Sequence, residues 1–589
     1  MRLLSTLAFI AMLLVTSVVS AQVPLGSSII TKGSGSGSSS GNSTPGMTGT
    51  TASDQTLRWI YDQTHFSGLD TSDWLTVYIS SESGGVYPLG SDSNDGLSPE
   101  TAFQTIQGLL NNANGLGSIW HRVELVMDEG DTWTCAGSSC VTTDSLGPAF
   151  SGISGSCQED EPCVLIRSSD RTGVNKPTLA CGDVETDGDG PNQGLLRGSV
   201  VDDAGWFLYE NLAIDCDDGD DDLDLFRPDD AQNIIGIGLD LRVAGQSDQM
   251  ATAHGDGVGI MINTTGFVAD DGVVDTNGEV LAPVNDGTLV MIGNSMIEFR
   301  DTDTEENGRL LRAGTDTDET ANLWVIGHLF KNTGGASGDL HIARVGPNIA
   351  ATNSSVSMVL AQVGLQGVNN TFNSGTGNYS SLIQVENSGT GSELDVQLYQ
   401  VTLSDASVGI SVQNTGTGST STVTARGLLV DGLNNSTSTS SRYTVIIEDA
   451  DDLANTTWDI QASAYDDDEG GVSADCSSGD ENWFALGTEY QCLTDFLAAV
   501  SVTGTFFNDA ASVELGDLGD NVAGVRLGVA CNAAESTSGC MGGLTSDYTV
   551  DMPTHPNTAE TITIPAWAFG SEISAFNLNS GGQGNIGAR

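Results

Sequence analysis

Positive charge is what this sequence has least of. Its 589 residues hold 19 Lys plus Arg against 78 Asp plus Glu, a formal charge of −59, and only three lysines, Lys32, Lys176 and Lys331. Phosphate backbones and anionic lipid headgroups repel a surface this acidic, so nucleic acid and bare membrane surfaces are excluded as partners. The same acidity is also what a protein in salty water carries simply to stay soluble. None of the ten cysteines is spaced C-x-x-C and few His lie near them, which argues against zinc. Beyond the N-terminus no apolar run is long enough to span a bilayer.

Residues 1–21 do carry an apolar run, after a single Arg2 and before Val19-Ser20-Ala21. That is the arrangement of a cleaved signal peptide, with Gln22 as the first mature residue. Export and an even cysteine count together imply disulfides that pin loops near the two ends of the fold, with the pairings left open. The Gly/Ser/Thr tract within residues 22–56 has almost no apolar content and reads as a flexible linker.

The rest of the chain is organised around a repeat. SLIQVEN is followed by SGTGS, and 27 residues later GISVQN by TGTGS, so Ile383, Val385 and Asn387 recur as Ile410, Val412 and Asn414. At the same offset Val396 maps onto Val423, Leu403 onto Val430 and Ser404 onto Asp431. Each unit alternates apolar and polar residues in short runs between Gly, Ser, Thr and Asn turns, which is strand periodicity. A unit this short cannot bury its own apolar face and must stack on its copies. Looser versions begin at Trp206, Leu289, Leu323, Val396 and Val423, at intervals of 83, 34, 73 and 27 residues. Variable turns on a constant strand core favour an all-β, right-handed parallel β-helix over a propeller. Residues 57–589 are expected to form that one domain, a monomer of about fifteen coils and roughly 70 Å at one strand spacing per coil. Asn211, Asn294, Asn387 and Asn414 are expected to satisfy backbone groups at strand ends.

Between Trp74 and Trp133 the strand residues Val77, Tyr78 and Ile79 lead into a turn with Gly90, Asp92, Asn94, Asp95 and Gly96. Ser98-Pro99 follows as an N-cap with Pro at the first helical position. Ala102, Phe103, Ile106, Leu109 and Leu110 then make a helical apolar stripe, expected to form a short N-terminal capping helix over otherwise open strand edges. This segment resembles the entry of the pectate-lyase-like right-handed parallel β-helix proteins, and the C-terminal GNIGAR is similar to their last turn. The resemblance implies a secreted or surface-associated protein acting on polysaccharide. It does not choose among lyases, hydrolases and proteins without activity.

Each chemistry of that family has its candidate residues. The hydrolases carry an NTDG motif, an Asp pair and then a His; here His254 comes first, Asn263 is followed by Thr264-Thr265, and Asp270-Asp271 comes last. That order fits inverting hydrolysis poorly. The lyases need a basic side chain as proton acceptor, and bases are enriched only between Arg300 and Arg344, with Arg309, Arg312, His328, Lys331 and His341. Lys331, Arg312 and Arg344 are the candidate catalytic residues. DVETDGDG places Asp183, Glu185, Asp187 and Asp189 two residues apart, an alternation of oxygens suited to Ca²⁺, although Gly194 stands where a closing Glu would complete an EF-hand loop. No organic cofactor is expected. The favoured reading is a non-catalytic binder of extracellular polysaccharide, with a uronic-acid polysaccharide lyase as the alternative.

Overall fold

The 27-residue repeat is a strand register. Ile383 pairs with Ile410, Val385 with Val412, Val396 with Val423, Leu403 with Val430 and Ser404 with Asp431, all in parallel ladders. The computed structural model describes most residues between 71 and 467 and, beyond them, short strands as far as 586. The chain divides into two compact units, Met1–Asn42 and Ser43–Arg589, and every described residue belongs to the second.

Within that unit the chain passes repeatedly through three sheets. Sheet A has 12 strands, from Leu75–Ile79 to Thr456–Gln461. Sheet B also has 12, from Thr132–Cys135 to Val513–Gly516. Sheet C has 11, from Gln193–Leu196 to an antiparallel end strand at Thr488–Tyr490. Each strand otherwise pairs in parallel with its equivalent one coil away, the connectivity of a parallel β-helix, and a right-handed one accounts for every such crossover. Among the described residues sheet A counts twelve strands, so it spans about 53 Å at ~4.8 Å per strand, shorter than the fifteen coils expected. The fifteen coils are those expected over residues 57–589, and much of the chain beyond 467 lies outside the described residues.

The core is built from inward columns running the length of the solenoid. Phe207, Ile234, Gly259, Leu289, Leu323, Met358, Val396 and Val423 are successive register partners of one such column in sheet A. The looser motif therefore skipped coils: the interval from Trp206 to Leu289 contains three and that from Leu323 to Val396 contains two. Gly259 explains one omission. A methyl group there would stand 2.7 Å from Phe226 and 2.8 Å from Leu289, so the ring of Phe226 fills the space that a side chain occupies in other coils.

Two kinds of turn hold the coils in register. In three turns between sheets A and B one residue takes positive φ, Asn211 (57°), Gly238 (63°) and Asn263 (52°), residue types that reach this region with little strain. The last residue before the sheet B strand points inward, and Leu212, Leu239, Thr264, His328, Val363, Val401 and Leu428 are all buried there. Between sheets C and A, the expectation for the asparagines holds. Asn387 Nδ2 donates to the carbonyls of Ser392 (3.2 Å) and of Thr420 in the next coil (3.0 Å). Asn414 repeats this with Ser421 Oγ (3.2 Å) and the Asn455 carbonyl (3.0 Å). Asn211 bonds the Arg171 carbonyl at 3.1 Å, and Asn294 lies outside the described residues.

The entry segment departs in part from the expected capping helix. Ser98 and Pro99 start only a 3₁₀ turn over Pro99–Thr101, with Thr101 Oγ1 accepting from the Ser98 N–H at 3.2 Å. Ala102 is already extended, and Phe103 forms a parallel bridge to Ile79. Pairing with a strand edge there outweighs the helical spacing of Ala102 and Phe103. Helical geometry returns at 108–109 with Leu109 buried, while Ile106 and Leu110 lie outside the described residues.

Candidate functional site

Alternate residues of sheet A point outward, and their chemistry changes along the solenoid. The outer face begins with charge, becomes apolar and ends polar.

At the first end Glu124 is nearly enclosed, with 4% of its side chain exposed. Its Oε2 accepts from Thr71 Oγ1 (2.9 Å) and Thr76 Oγ1 (3.1 Å), and its Oε1 from Arg167 Nε (2.6 Å) and Arg171 Nη2 (3.2 Å). Four donors, two of them cationic, leave this carboxylate fully engaged. Glu210, the register partner of Arg167, is equally buried, yet its Oε2 has no hydrogen-bond partner. Burial pushes its carboxyl up to about 7, against the pull of Arg171 and Arg167 and with the push of Glu124. Tyr78 and Tyr87 stand edge to face beside this cluster, with centroids 5.7 Å apart. Asp128 holds the Tyr87 loop by accepting from the backbone N–H groups of Tyr87 (2.9 Å) and Val86 (3.2 Å), and burial raises its carboxyl too.

The middle of the face is apolar. Leu165, Leu208, Ile235, Ile260, Val290, Trp324 and Val359 form one outward column by register. Ile237, Ile262, Ile292, Ile326 and Ala361 form the column beside it. With Trp74, Val258 and Tyr399 they make a cluster separate from the interior core.

The far end is polar. In the strand Glu393–Tyr399, Gln397 Nε2 donates to Asp395 Oδ2 (2.5 Å), and the Tyr399 hydroxyl donates to Gln397 Oε1 (3.0 Å). Burial raises the Asp395 carboxyl, and the Gln397 donor partly offsets this. On the next strand Thr422 and Thr424 are register partners of Asp395 and Gln397, followed by Thr457 and Asp459.

The residues singled out as catalytic candidates fall on two other faces. Arg312 and Arg344 are register partners in sheet C, and Arg344 Nη2 forms an ion pair with Glu386. Lys331 lies in sheet B between its register partners Glu298 and Gln366. His328 belongs to the interior: it is fully buried, its Nδ1 lies 3.0 Å from the Ile326 carbonyl, and burial lowers its pKa to about 4. His254 and Asn263 sit in turns at opposite ends of the strand Val258–Ile262. Asp270 and Asp271 lie outside the described residues, as do Asp183, Glu185, Asp187 and Asp189. Among the described residues no three His, Cys, Asp or Glu side chains converge as metal ligands. Cys135 and Cys181 are register partners, and the ladder from Cys181's strand runs on through Ala180 and Asp215, which places Cys216 next in line.

Sequence reasoning passed over Glu124, Glu210, Asp395 and Gln397. Their signal is a lone acid inside an apolar run, as in VELVM and FLYEN, or polar residues at every second position, as in ELDVQLY. No protein-family model matches this chain, and no curated protein matches it.

Proposed function

We propose that this chain is a secreted or cell-surface β-helix protein that binds extracellular polysaccharide without cleaving it. The observation supporting this is the polar end of sheet A, where Asp395, Gln397 and Tyr399 form a hydrogen-bonded row and Thr422, Thr424, Thr457 and Asp459 continue it. Such side chains exchange hydrogen bonds with sugar hydroxyls, and their repetition at each coil suits a repeating polymer. β-Elimination needs a base and a carboxylate-neutralising cation in one groove. Lys331 and the Arg312–Arg344 pair occupy different sheets, and Arg344 is already paired, which favours binding over a uronic-acid lyase. A common origin with pectate-lyase-like proteins remains part of this proposal. So do a monomeric state, an extracellular location and a Ca²⁺ site at Asp183, Glu185, Asp187 and Asp189.

The test is titration against neutral and uronic-acid polysaccharides, with ultraviolet detection of unsaturated products. Binding without product, weakened roughly tenfold by Gln397→Ala for ~1.4 kcal/mol lost, supports the reading. Unsaturated product that disappears with Lys331→Ala establishes the lyase instead. Ca²⁺ should raise the melting temperature beyond ionic-strength-matched NaCl, and Asp187→Ala should abolish the difference.

A further inference from the structure

Three cysteines stand on successive coils near the first end of sheet B. Cys135 closes the strand Thr132–Cys135 and Cys181 the strand Thr178–Cys181, and the two are register partners. Ala180 pairs with Asp215 in the following strand, Ala213–Gly219, so Cys216 takes the next rung beside Cys181. On its other side Cys216 pairs with Val243, and Val243 with Val268. Both valines are buried in the interior, as is Cys216, with 3% of its surface exposed. Cysteine therefore takes the place of valine in an inward column.

Cys216 is disulfide-bonded, and among the described residues no cysteine is free. A disulfide requires Cα atoms within about 7 Å of each other. Adjacent strands lie ~4.8 Å apart and next-nearest strands about 9.6 Å apart. Cys181 is thus within reach of Cys216 along the ladder, and Cys135 is not. Cys163 belongs to a strand of sheet A, Pro162–Ser168.

The same two coils meet at a costly joint in sheet A. There Arg167 pairs in register with Glu210, whose buried Oε2 has no hydrogen-bond partner. In sheet B both strands lead into acidic sequence, DVETDGDG from Asp183 after Cys181 and DDGDDD from Asp217 after Cys216. Like charges that follow neighbouring strand ends repel, and each coil of a solenoid is held only by its neighbours. A covalent bond between these coils opposes their separation and also restricts the unfolded chain.

We infer that Cys181 and Cys216 form a disulfide inside the core that clamps these two coils together. Its formation joins the two sulfurs with loss of both thiol hydrogens and two electrons, which pass to a disulfide oxidant that leaves as a dithiol. The test is disulfide mapping of the full mature chain: free thiols are blocked with an alkylating agent, the unreduced protein is digested with pepsin, and linked peptides are sequenced by mass spectrometry. A peptide pair joined through Cys181 and Cys216 and separated by reductant is expected. Cys216 joined to any other cysteine, or alkylated before reduction, would overturn the inference. A second measurement uses Cys181→Val, the residue type at Val243 and Val268 in the same column. Cys216 should then take up the alkylating agent in unreduced denaturant; a Cys216 that still resists it there would count equally against the inference. The double variant Cys181→Val, Cys216→Val should melt below the unreduced parent, and an unchanged melting temperature would show that the bond clamps nothing.

Discussion

The charged end of sheet A and the asparagine turns of the regular coils both bury polar groups, by opposite means. In the turns at Asn387 and Asn414 a neutral amide donates to an oxygen of its own coil and to a backbone carbonyl of the following coil, and the second turn repeats the first. At the charged end, four side chains converge on Glu124, while Glu210, equally buried, is left without a donor for one oxygen. A neutral ladder is cheap to bury and self-propagating. A charge cluster is assembled once, and each member depends on the others.

Breaking the cluster at its centre should have the largest effect. Glu124→Ala leaves the half-buried Arg167 and Arg171 without their carboxylate and should cost about 3 kcal/mol in denaturant unfolding. A cost below that of the asparagine variants would mean that the cluster adds little.

Glu210 sharpens the contrast through pH. Its carboxyl is raised from 4.5 to about 7 in the folded protein, so its own contribution to stability is fullest below pH 4.5 and falls as pH rises toward 7. The loss approaches about 3 kcal/mol. Glu210→Gln should remove that slope, matching the parent at pH 4 and exceeding it at pH 8. A difference between parent and variant that stays flat between pH 5 and 8 would contradict this.

His328 tests the interior with the opposite sign. Its pKa is lowered from 6.5 to about 4, so the folded state resists its protonation and stability drops as pH falls from 6.5 toward 4. His328→Leu places an apolar side chain among Leu239, Val363 and Val401, its equivalents in other coils. The variant should gain up to about 3 kcal/mol over the parent near pH 4 and little at pH 7.

The smallest effect belongs to the ladder. Asn387→Ala removes two hydrogen bonds to carbonyls and should cost about 1–2 kcal/mol, with binding of polysaccharide unchanged. Loss of binding at an unaltered melting temperature would move Asn387 from architecture to recognition.

What could be read beforehand follows from these same contrasts. The pairing of Ile383 with Ile410 and the roles of Asn387 and Asn414 were legible because a solenoid prints its register as repetition in the chain. The coils at Ile234, Gly259 and Met358 were harder to see, since Phe226 fills the core where Gly259 has no side chain. The helical spacing after Pro99 misled at Ala102 and Phe103, because an open strand edge at Ile79 offered hydrogen bonds that a short helix could not match.

By itself, then, the sequence determined the parallel stacking of strands and the asparagine turns, since both depend on neighbours one repeat away. Tertiary structure alone decided that Lys331 faces a different sheet from Arg312 and Arg344, that His328 is a core residue, and that Glu124, Arg167, Arg171 and Glu210 meet. Those outcomes depend on which sheet each residue falls in. Turns of variable length set that assignment coil by coil, and no local periodicity records it.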